Sequence, residues 1–211
     1  YGPDSDEVLQ AIGEMDRTIG RLIFGLKARG LFEKVNILLV SDHGMAKTSP
    51  DSMIFLDELI DMDLINIIDG SPVAAIQPLG DLDSIYNILK NSNSAMDVYK
   101  KGEAPERLHY NNHRRIQPLT LSAKEHWSIS TNDYFIEDDH AQRFSGATHG
   151  YDPKYVSMRG IFLAHGPAFK KNFNGPGISN IHLYEMMCKI LGIYPANNDG
   201  KIDSTTIFLK N

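Results

Sequence analysis

An aspartate and a histidine, Asp42 and His43, follow the apolar segment Ile37–Val40 after a single serine, and Gly44 comes next. The apolar run is typical of a buried strand, and ligands of open α/β sheets bind where such strands end. Carboxylate and imidazole groups are good ligands for zinc and similar divalent ions. The pair therefore predicts a metal site, although an aspartate that caps a turn beside a histidine that merely packs would produce the same pattern.

A second histidine, His149, stands between Thr148 and Gly150, in a predicted loop before another apolar run. Glycine permits sharp turns and close approach of the backbone. Two separate His-Gly pairs, each near a predicted strand, indicate scattered metal ligands better than either pair alone. Thr148 is disfavoured as a nucleophile, because a hydroxyl needs a base or a metal to activate it. Neighbouring side chains in an extended loop also point in different directions.

The composition of the 211 residues is that of a globular protein, with 42% hydrophobic and 23% charged residues. The formal net charge of -6 argues against a general nucleic-acid-binding protein, which usually presents a basic face. It does not exclude a phosphate substrate, because a bound cation would reverse the local field. The single cysteine, Cys188, allows neither an intrachain disulfide nor a cysteine metal cage. No apolar run approaches the roughly 20 residues that span a bilayer.

The segments on either side of Asp42 and His43 are those of an α/β protein. Residues 5–29 predict one amphipathic helix with apolar residues three and four positions apart, and Gly30 can end it. Residues 35–40 predict a nearly all-apolar strand, and such strands are usually buried on both faces. The helix, loop and strand make half of a βαβ unit without its first strand, which suggests that an upstream part is absent.

The middle of the chain predicts a different kind of structure. Short strands and a helix between about residues 70 and 130 predict a small inserted α+β subdomain. The polar residues 132–145 predict a loop. A strand at residues 161–164 and a helix at residues 180–191, which Gly192 ends, complete the pattern.

Several stretches together resemble the nucleotide pyrophosphatase/phosphodiesterase family, the type I phosphodiesterases of the alkaline phosphatase superfamily. The clearest are Leu39–Met45, His149–Asp152 and Met158–Phe169. Arg107–Ile116 and Asn197–Gly200 also look like parts of that family, so the resemblance runs along nearly the whole chain in order. It implies an α/β fold with an alkaline-phosphatase-like, mostly parallel sheet flanked by helices. The chain is then expected to be the C-terminal part of one catalytic domain.

The resemblance also implies the ligands of two zinc ions. Asp42 and His43 match two ligands of one zinc, and His149 matches one ligand of the other. The remaining ligands and the threonine nucleophile match no residue of this chain, so no catalytic residue is expected within it. Tyr151 and Asp152 are candidates to orient His149 without binding the metal themselves, although the sequence supports a turn-capping role for Asp152 equally well.

The activity that the resemblance implies is zinc-dependent hydrolysis of phosphodiester or pyrophosphate bonds through a phospho-threonine intermediate. The expected partner is a nucleotide or another small phosphodiester, and no specific binding of nucleic acid is expected. The family also implies a periplasmic or secreted protein, and the chain by itself is expected to be inactive. Two other functions stay open, namely another hydrolase of the superfamily, such as a phosphomonoesterase or sulfatase, and an inactive binding module.

Overall fold

The computed structural model describes residues 1–210, except for the side chains of residues 138 and 139. Its helices are α1 (Asp6–Ala28), α2 (Leu82–Ser92), α3 (Asn132–Ile136) and α4 (Leu183–Leu191). Its strands are β1 (Ile37–Val40), β2 (Ala46–Thr48), β3 (Met53–Phe55), β4 (Ile65–Asp69), β5 (Val73–Pro78), β6 (Met96–Lys100), β7 (Leu119–Ala123), β8 (Ser128–Ser130), β9 (Gly146–Thr148) and β10 (Phe162–His165). Among the described helices, none has both the length and the apolar character needed to cross a membrane.

The chain divides into two compact units. The first contains Tyr1–Gln10 and His43–Arg159, and the second contains Ala11–Asp42 and the segment from Gly160 onward. The division falls between Asp42 and His43, so these two neighbouring residues belong to different units.

A four-stranded antiparallel sheet, in the order β4-β5-β7-β6, is the main sheet of the first unit. Helix α2 turns its apolar side to the core of this unit, where Ile85 is 2% exposed and Leu89 is fully buried. Ile76 of β5 and Leu121 of β7 lie in the same core. An α+β structure is therefore present where the sequence predicts one. That it is an inserted subdomain at about residues 70–130 stays a prediction.

The strand directions differ from the mostly parallel sheet that the family resemblance implies. Among the described residues, β3 and β8 pair in parallel. The pairs β1–β10 and β2–β9 and all pairs of the four-stranded sheet are antiparallel. An apolar run is typical of a strand buried on both faces, as in parallel sheets, but it does not fix the direction of the neighbouring strand. The α/β class is confirmed by the mixture of helices and sheets.

Strand β1 of the second unit is less buried than its apolar sequence predicts. Three of its residues are half-buried, and Val40 is 46% exposed. Within the described residues β1 pairs with β10 alone, and a strand with one neighbour is covered less than a central strand. The core of this unit lies nearby and contains Phe169, Met186, Phe208 and Leu209.

Helix α1 begins and ends within one residue of its predicted bounds. The Ser5 hydroxyl accepts a hydrogen bond from Val8 N at 3.3 Å, and Gly30 ends the helix with a φ of 64°. Part of its apolar stripe is exposed, with Ile12 and Met15 each 60% accessible. The spacing of apolar residues thus predicted the helix correctly, while no residue of α1 is buried in this structure.

The prediction of a loop at residues 132–145 is wrong. Helix α3 is followed directly by a 3₁₀ helix, Glu137–Phe144. The Thr131 side chain caps the first turn of α3. Phe135 packs edge-on against Phe55 of β3, with ring centroids 5.3 Å apart. A cap and an aromatic contact with a distant strand stabilise helices that the polar composition did not indicate.

Candidate metal centre

The antiparallel pair β2–β9 brings His43 and His149 together in the first unit. Ala46 lies opposite Thr148 in this ladder. In an antiparallel pair, residues just before Ala46 lie beside residues just after Thr148. The two imidazole rings stack, with centroids 3.7 Å apart and an angle of 18° between their planes. Two histidines more than a hundred positions apart in the sequence therefore converge on one place.

A short hydrogen bond orients the ring of His43. Its Nδ1 lies 2.7 Å from the carbonyl oxygen of Gly44. Because a carbonyl oxygen can only accept, Nδ1 carries the hydrogen, and in a neutral ring the lone pair is on Nε2. Histidines that bind metals usually have this arrangement, in which the other ring nitrogen donates to a carbonyl or carboxylate.

Gly44 occupies a place with no room for a side chain. Its N–H donates to Met158 O at 3.0 Å. A Cβ at this position would overlap the carbonyl group of Ser157 and lie 2.7 Å from the carbonyl oxygen of Arg159. The close approach of two backbone segments therefore requires glycine here, and it fixes the backbone that carries His43.

Asp42 follows β1 in the second unit, where the neighbouring strand sets its backbone. Ser41 N donates to Ile161 O at 3.1 Å, and Ile161 N donates to the Ser41 hydroxyl at 2.9 Å. The side-chain amide of Asn180 donates to the carbonyl oxygen of Asp42 at 3.3 Å. The backbone of Asp42 is thus held from two sides, while the residue is exposed to solvent.

The donor types at these positions suit zinc or a similar ion, because they are two imidazoles and one carboxylate. Among the side chains that the structure describes, no three of His, Cys, Asp or Glu form a group that could hold one metal ion. The structure brings His43 and His149 together. It places Asp42 in the other unit, joined to His43 by the peptide bond.

Tyr151 lies two residues after His149 and is 3% exposed. Its hydroxyl donates to the carbonyl oxygen of Trp127 at 2.9 Å. Burial raises the pKa of Tyr151 to about 12, so the hydroxyl keeps its proton and its donor role at neutral pH. Asp152 accepts a hydrogen bond from Lys154 N at 2.9 Å through Oδ1, which is the turn-capping contact that the sequence allows. Both residues therefore fasten the turn after His149.

Arg107 is the residue of this region that the sequence did not single out. Its Nη1 donates to Oδ1 of Asp152 at 2.6 Å, and its Nη2 donates to Oδ2 at 2.6 Å. These hydrogen bonds lower the pKa of Asp152 to about 2. Arg107 lies in a basic, turn-rich segment, a composition that usually indicates a solvated surface. No local pattern connects it with a partner so far away in the sequence.

The sequence also did not predict a second polar contact near Gly44. Ser157, whose carbonyl group touches Gly44, donates a short hydrogen bond from its hydroxyl to Glu125. The adjacent His126 has a φ of 74°, and its Nδ1 lies 2.7 Å from the carbonyl oxygen of Lys47 in β2. A positive φ is uncommon in residues other than glycine, so the sequence did not predict this conformation. These contacts support the segments that flank His43.

Residues 1–152 match the family described as type I phosphodiesterase / nucleotide pyrophosphatase. The chain belongs to that family. The family that the sequence motifs indicated is thereby confirmed, and the matched range includes Asp42, His43 and His149.

Individual relatives resemble the chain along its whole length. Bis(5'-adenosyl)-triphosphatase enpp4 of Xenopus laevis is 39% identical over 212 residues, which are 100% of this chain and 45% of the relative. The solved structure of human ectonucleotide pyrophosphatase / phosphodiesterase 5 matches with a TM-score of 0.88 and 38% identity. That match covers 100% of this chain and 55% of the human chain. The chain thus spans about half the length of these relatives, and the alkaline-phosphatase-like fold is confirmed.

The murine form of the same protein was also solved as an inactive variant in complex with AMP. It matches with a TM-score of 0.87 and 38% identity, over 99% of this chain and 54% of the murine chain.

Proposed function

We propose that the protein to which this chain belongs hydrolyses phosphodiester or pyrophosphate bonds in nucleotides or related small phosphodiesters. The observation that carries the proposal is the stacked pair of His43 and His149 in a chain of the phosphodiesterase family. One relative is named for a bis(5'-adenosyl)-triphosphatase, and another was solved with AMP. Both names support a small nucleotide as the substrate.

The proposed reaction depends on two zinc ions. Asp42 and His43 are proposed as ligands of one zinc, and His149 as a ligand of the other. Bound zinc would lower the pKa of the attacking oxygen and neutralise charge on the phosphoryl group. The attacking oxygen is proposed to belong to a threonine outside residues 1–211, which would carry the phosphoryl group as a phospho-threonine intermediate.

The residues of this chain are proposed to place and orient the ligands. The Nδ1–H of His43 donates to the Gly44 carbonyl, which presents Nε2 as the nitrogen for zinc. Tyr151 and Asp152 hold the turn that follows His149. The net charge of -6 argues against a nucleic-acid backbone bound through a basic face, and bound cations would make it compatible with a small anionic substrate. A periplasmic or secreted location is proposed from the family.

Single substitutions in the full-length protein test this function. We expect His43→Ala and His149→Ala each to lower kcat/KM for bis(p-nitrophenyl) phosphate by more than about 100-fold, because changes behind a metal ligand already cost 10–100-fold. Each variant should also retain less zinc after gel filtration, as measured by inductively coupled plasma mass spectrometry. The expected loss is about one zinc ion per chain, since each histidine is assigned to one site.

His113→Ala is the matched control, because His113 is an exposed histidine of the same unit that receives a hydrogen bond from Arg115 N. Its activity and zinc content should equal those of the unaltered protein. Full activity and full zinc content in His43→Ala or His149→Ala would remove that residue from the ligand set. If both variants behaved in this way, the proposed function would lose its structural basis.

A further inference from the structure

Arg107 and Asp152 form an ion pair through two parallel hydrogen bonds between the guanidinium and the carboxylate. Both nitrogen–oxygen distances are 2.6 Å. The Asp152 side chain is 9% exposed, whereas that of Arg107 is 49% exposed. Exposed single-contact pairs add little to stability, but a parallel pair of charge-assisted hydrogen bonds also fixes geometry. The carboxylate therefore has a defined orientation and little access to water.

The segment that carries Arg107 is held closed by side-chain hydrogen bonds. Asn111 accepts from Ala104 N at 3.0 Å and donates to Ala104 O at 2.7 Å. Ala104 is 8% exposed, so this double contact lies at the base of the segment. Residues Glu106–Leu108 form a 3₁₀ turn between the two ends. Arg107 is thus presented from a braced loop between β6 and β7 rather than from a free surface chain.

The other end of the contact is the turn that begins at His149. Asp152 is three positions after His149 in the sequence, and its Oδ1 also accepts from Lys154 N. Gly150, between them, has a φ of 103°, a conformation that glycine adopts readily because it has no Cβ. The buried Tyr151 anchors the turn at one point. Asp152 provides a second anchor, and two anchors are needed to set the direction of a short turn.

We propose that Arg107 is a positioning residue for His149. Arg107 acts through Asp152, and the contact holds the turn after His149 in its metal-binding arrangement. The proposal rests on the proposed function, since it assumes that His149 binds a metal. Arg107 contacts neither a proposed ligand nor the substrate in this account. Its effect on the reaction passes through the position of one imidazole ring.

The depressed pKa of Asp152 is consistent with this arrangement, because it shows that the contact favours the charged carboxylate. Removal of the guanidinium would leave Lys154, whose Nζ lies 3.4 Å from Oδ2, as the neighbouring cation. An ammonium group offers no planar fork and cannot replace two parallel hydrogen bonds. The turn would keep its charge balance in part and lose its fixed direction.

The test measures zinc retention and turnover in the full-length protein, together with hydrogen exchange in its zinc-free form. We expect Arg107→Ala to reduce kcat/KM about 10–100-fold, mainly through a lower kcat rather than a changed KM. The variant should also lose zinc to a chelator faster than the unaltered protein. Arg107→Lys should recover part of the loss, because it restores charge without the fork. In zinc-free protein, Arg107→Ala should increase amide exchange in residues 149–155.

A double-mutant cycle with His149→Ala separates this role from general stabilisation. If Arg107 acts through His149, Arg107→Ala should cause no further loss of activity or zinc in the His149→Ala background. Lys100→Ala is the matched control, since Lys100 forms an ion pair with the exposed Asp83 at 2.5 Å in the same unit. It should leave activity, zinc retention and exchange in residues 149–155 unchanged.

If Arg107→Ala lowered activity and zinc retention equally with and without His149, the proposal would be overturned. It would also be overturned if Arg107→Ala retained zinc normally while His149→Ala lost it. A normal zinc content and normal turnover in His149→Ala would instead remove His149 from the proposed ligand set, and the positioning role with it. Only the same result in His43→Ala as well would refute the proposed function. If Arg107→Ala does not fold, Arg107→Lys and Asp152→Asn take its place in the same cycle. Unchanged zinc loss in both of them would also reject the positioning role.

Discussion

At the scale of single residues, Gly44 controls the position of His43 through the absence of a side chain. The atoms that a Cβ would meet belong to the backbone at Ser157 and Arg159, so they cannot move aside by a side-chain rotation. We expect Gly44→Ala to shift the backbone of His43 and to lower kcat/KM by at least about 10-fold, with reduced zinc content.

Gly70→Ala is a suitable control for this change, because no atom lies within 4 Å of a Cβ built at Gly70. Activity assays and zinc analysis on both full-length variants make the comparison. Activity of Gly44→Ala equal to that of Gly70→Ala would show that the close contact with Ser157 has no bearing on the site.

The lowered pKa of Asp152 predicts how the free energy of unfolding depends on pH. Its pKa is about 2 in the folded protein, against an ordinary value of 3.8. A depressed pKa means that the carboxylate stabilises the fold at pH values above its unfolded pKa. That stabilisation is lost as pH falls from about 4 towards about 2, and it is on the order of 1–2 kcal/mol.

Urea unfolding of the full-length protein at several pH values between about 2 and 5 measures this effect. We expect the free energy of unfolding to fall more steeply with decreasing pH in the unaltered protein than in Asp152→Asn, which has no carboxylate at this position. Parallel curves for the two proteins would mean that the contact with Arg107 does not stabilise the folded state.

At the scale of elements, α1 offers a test of helix energetics that is independent of the site. Gly20 is exposed in the middle of the helix, and a Cβ there would meet no atom within 4 Å. We expect Gly20→Ala to raise the free energy of unfolding by about 0.5–1 kcal/mol, because alanine restricts the unfolded chain more than glycine does.

Gly30→Ala should have the opposite sign. Gly30 has a φ of 64°, which is unfavourable for residues with a Cβ, and it ends the same helix. Thermal unfolding of both variants in the full-length protein gives the comparison. A lower melting temperature for Gly20→Ala, or an unchanged one for Gly30→Ala, would contradict this account of α1.

The elements show which features the sequence could predict. The bounds of α1, the approximate positions of β1 and β10 and the end of α4 at Gly192 follow from local spacing and caps, and all are present. The directions of the strand pairs and the helices after Thr131 depend on partners far away in the chain. Such contacts leave no periodic pattern in the segment itself, so the strand directions could not be derived from it, and the prediction of a loop at residues 132–145 was wrong.

The candidate site likewise has features that local sequence patterns predict and features that depend on distant contacts. Asp42, His43 and His149 were identified by residue type and by their position beside predicted strands. The stack of the two rings follows from the ladder between Ala46 and Thr148, which no local pattern indicates. Arg107 was missed for the same reason, because its importance depends on Asp152 and on the braced loop that presents it.

At the scale of the whole molecule, each unit has its own hydrophobic core. The core of the first is built around the four-stranded sheet and α2, and the core of the second around Phe169 and Met186. Asp42 is attached to the β1–β10 pair, while His43 leads into the β2–β9 pair. Neighbouring residues in the sequence are therefore held by two separate sets of backbone hydrogen bonds.

The ladder between β2 and β9 also has a kinetic consequence. Closing a loop of about a hundred residues costs entropy before the contact gives anything in return, and such non-local pairings form slowly. The stack of His43 and His149 cannot exist until this loop has closed. During refolding, the arrangement that brings these two proposed zinc ligands side by side would therefore form after the local helices.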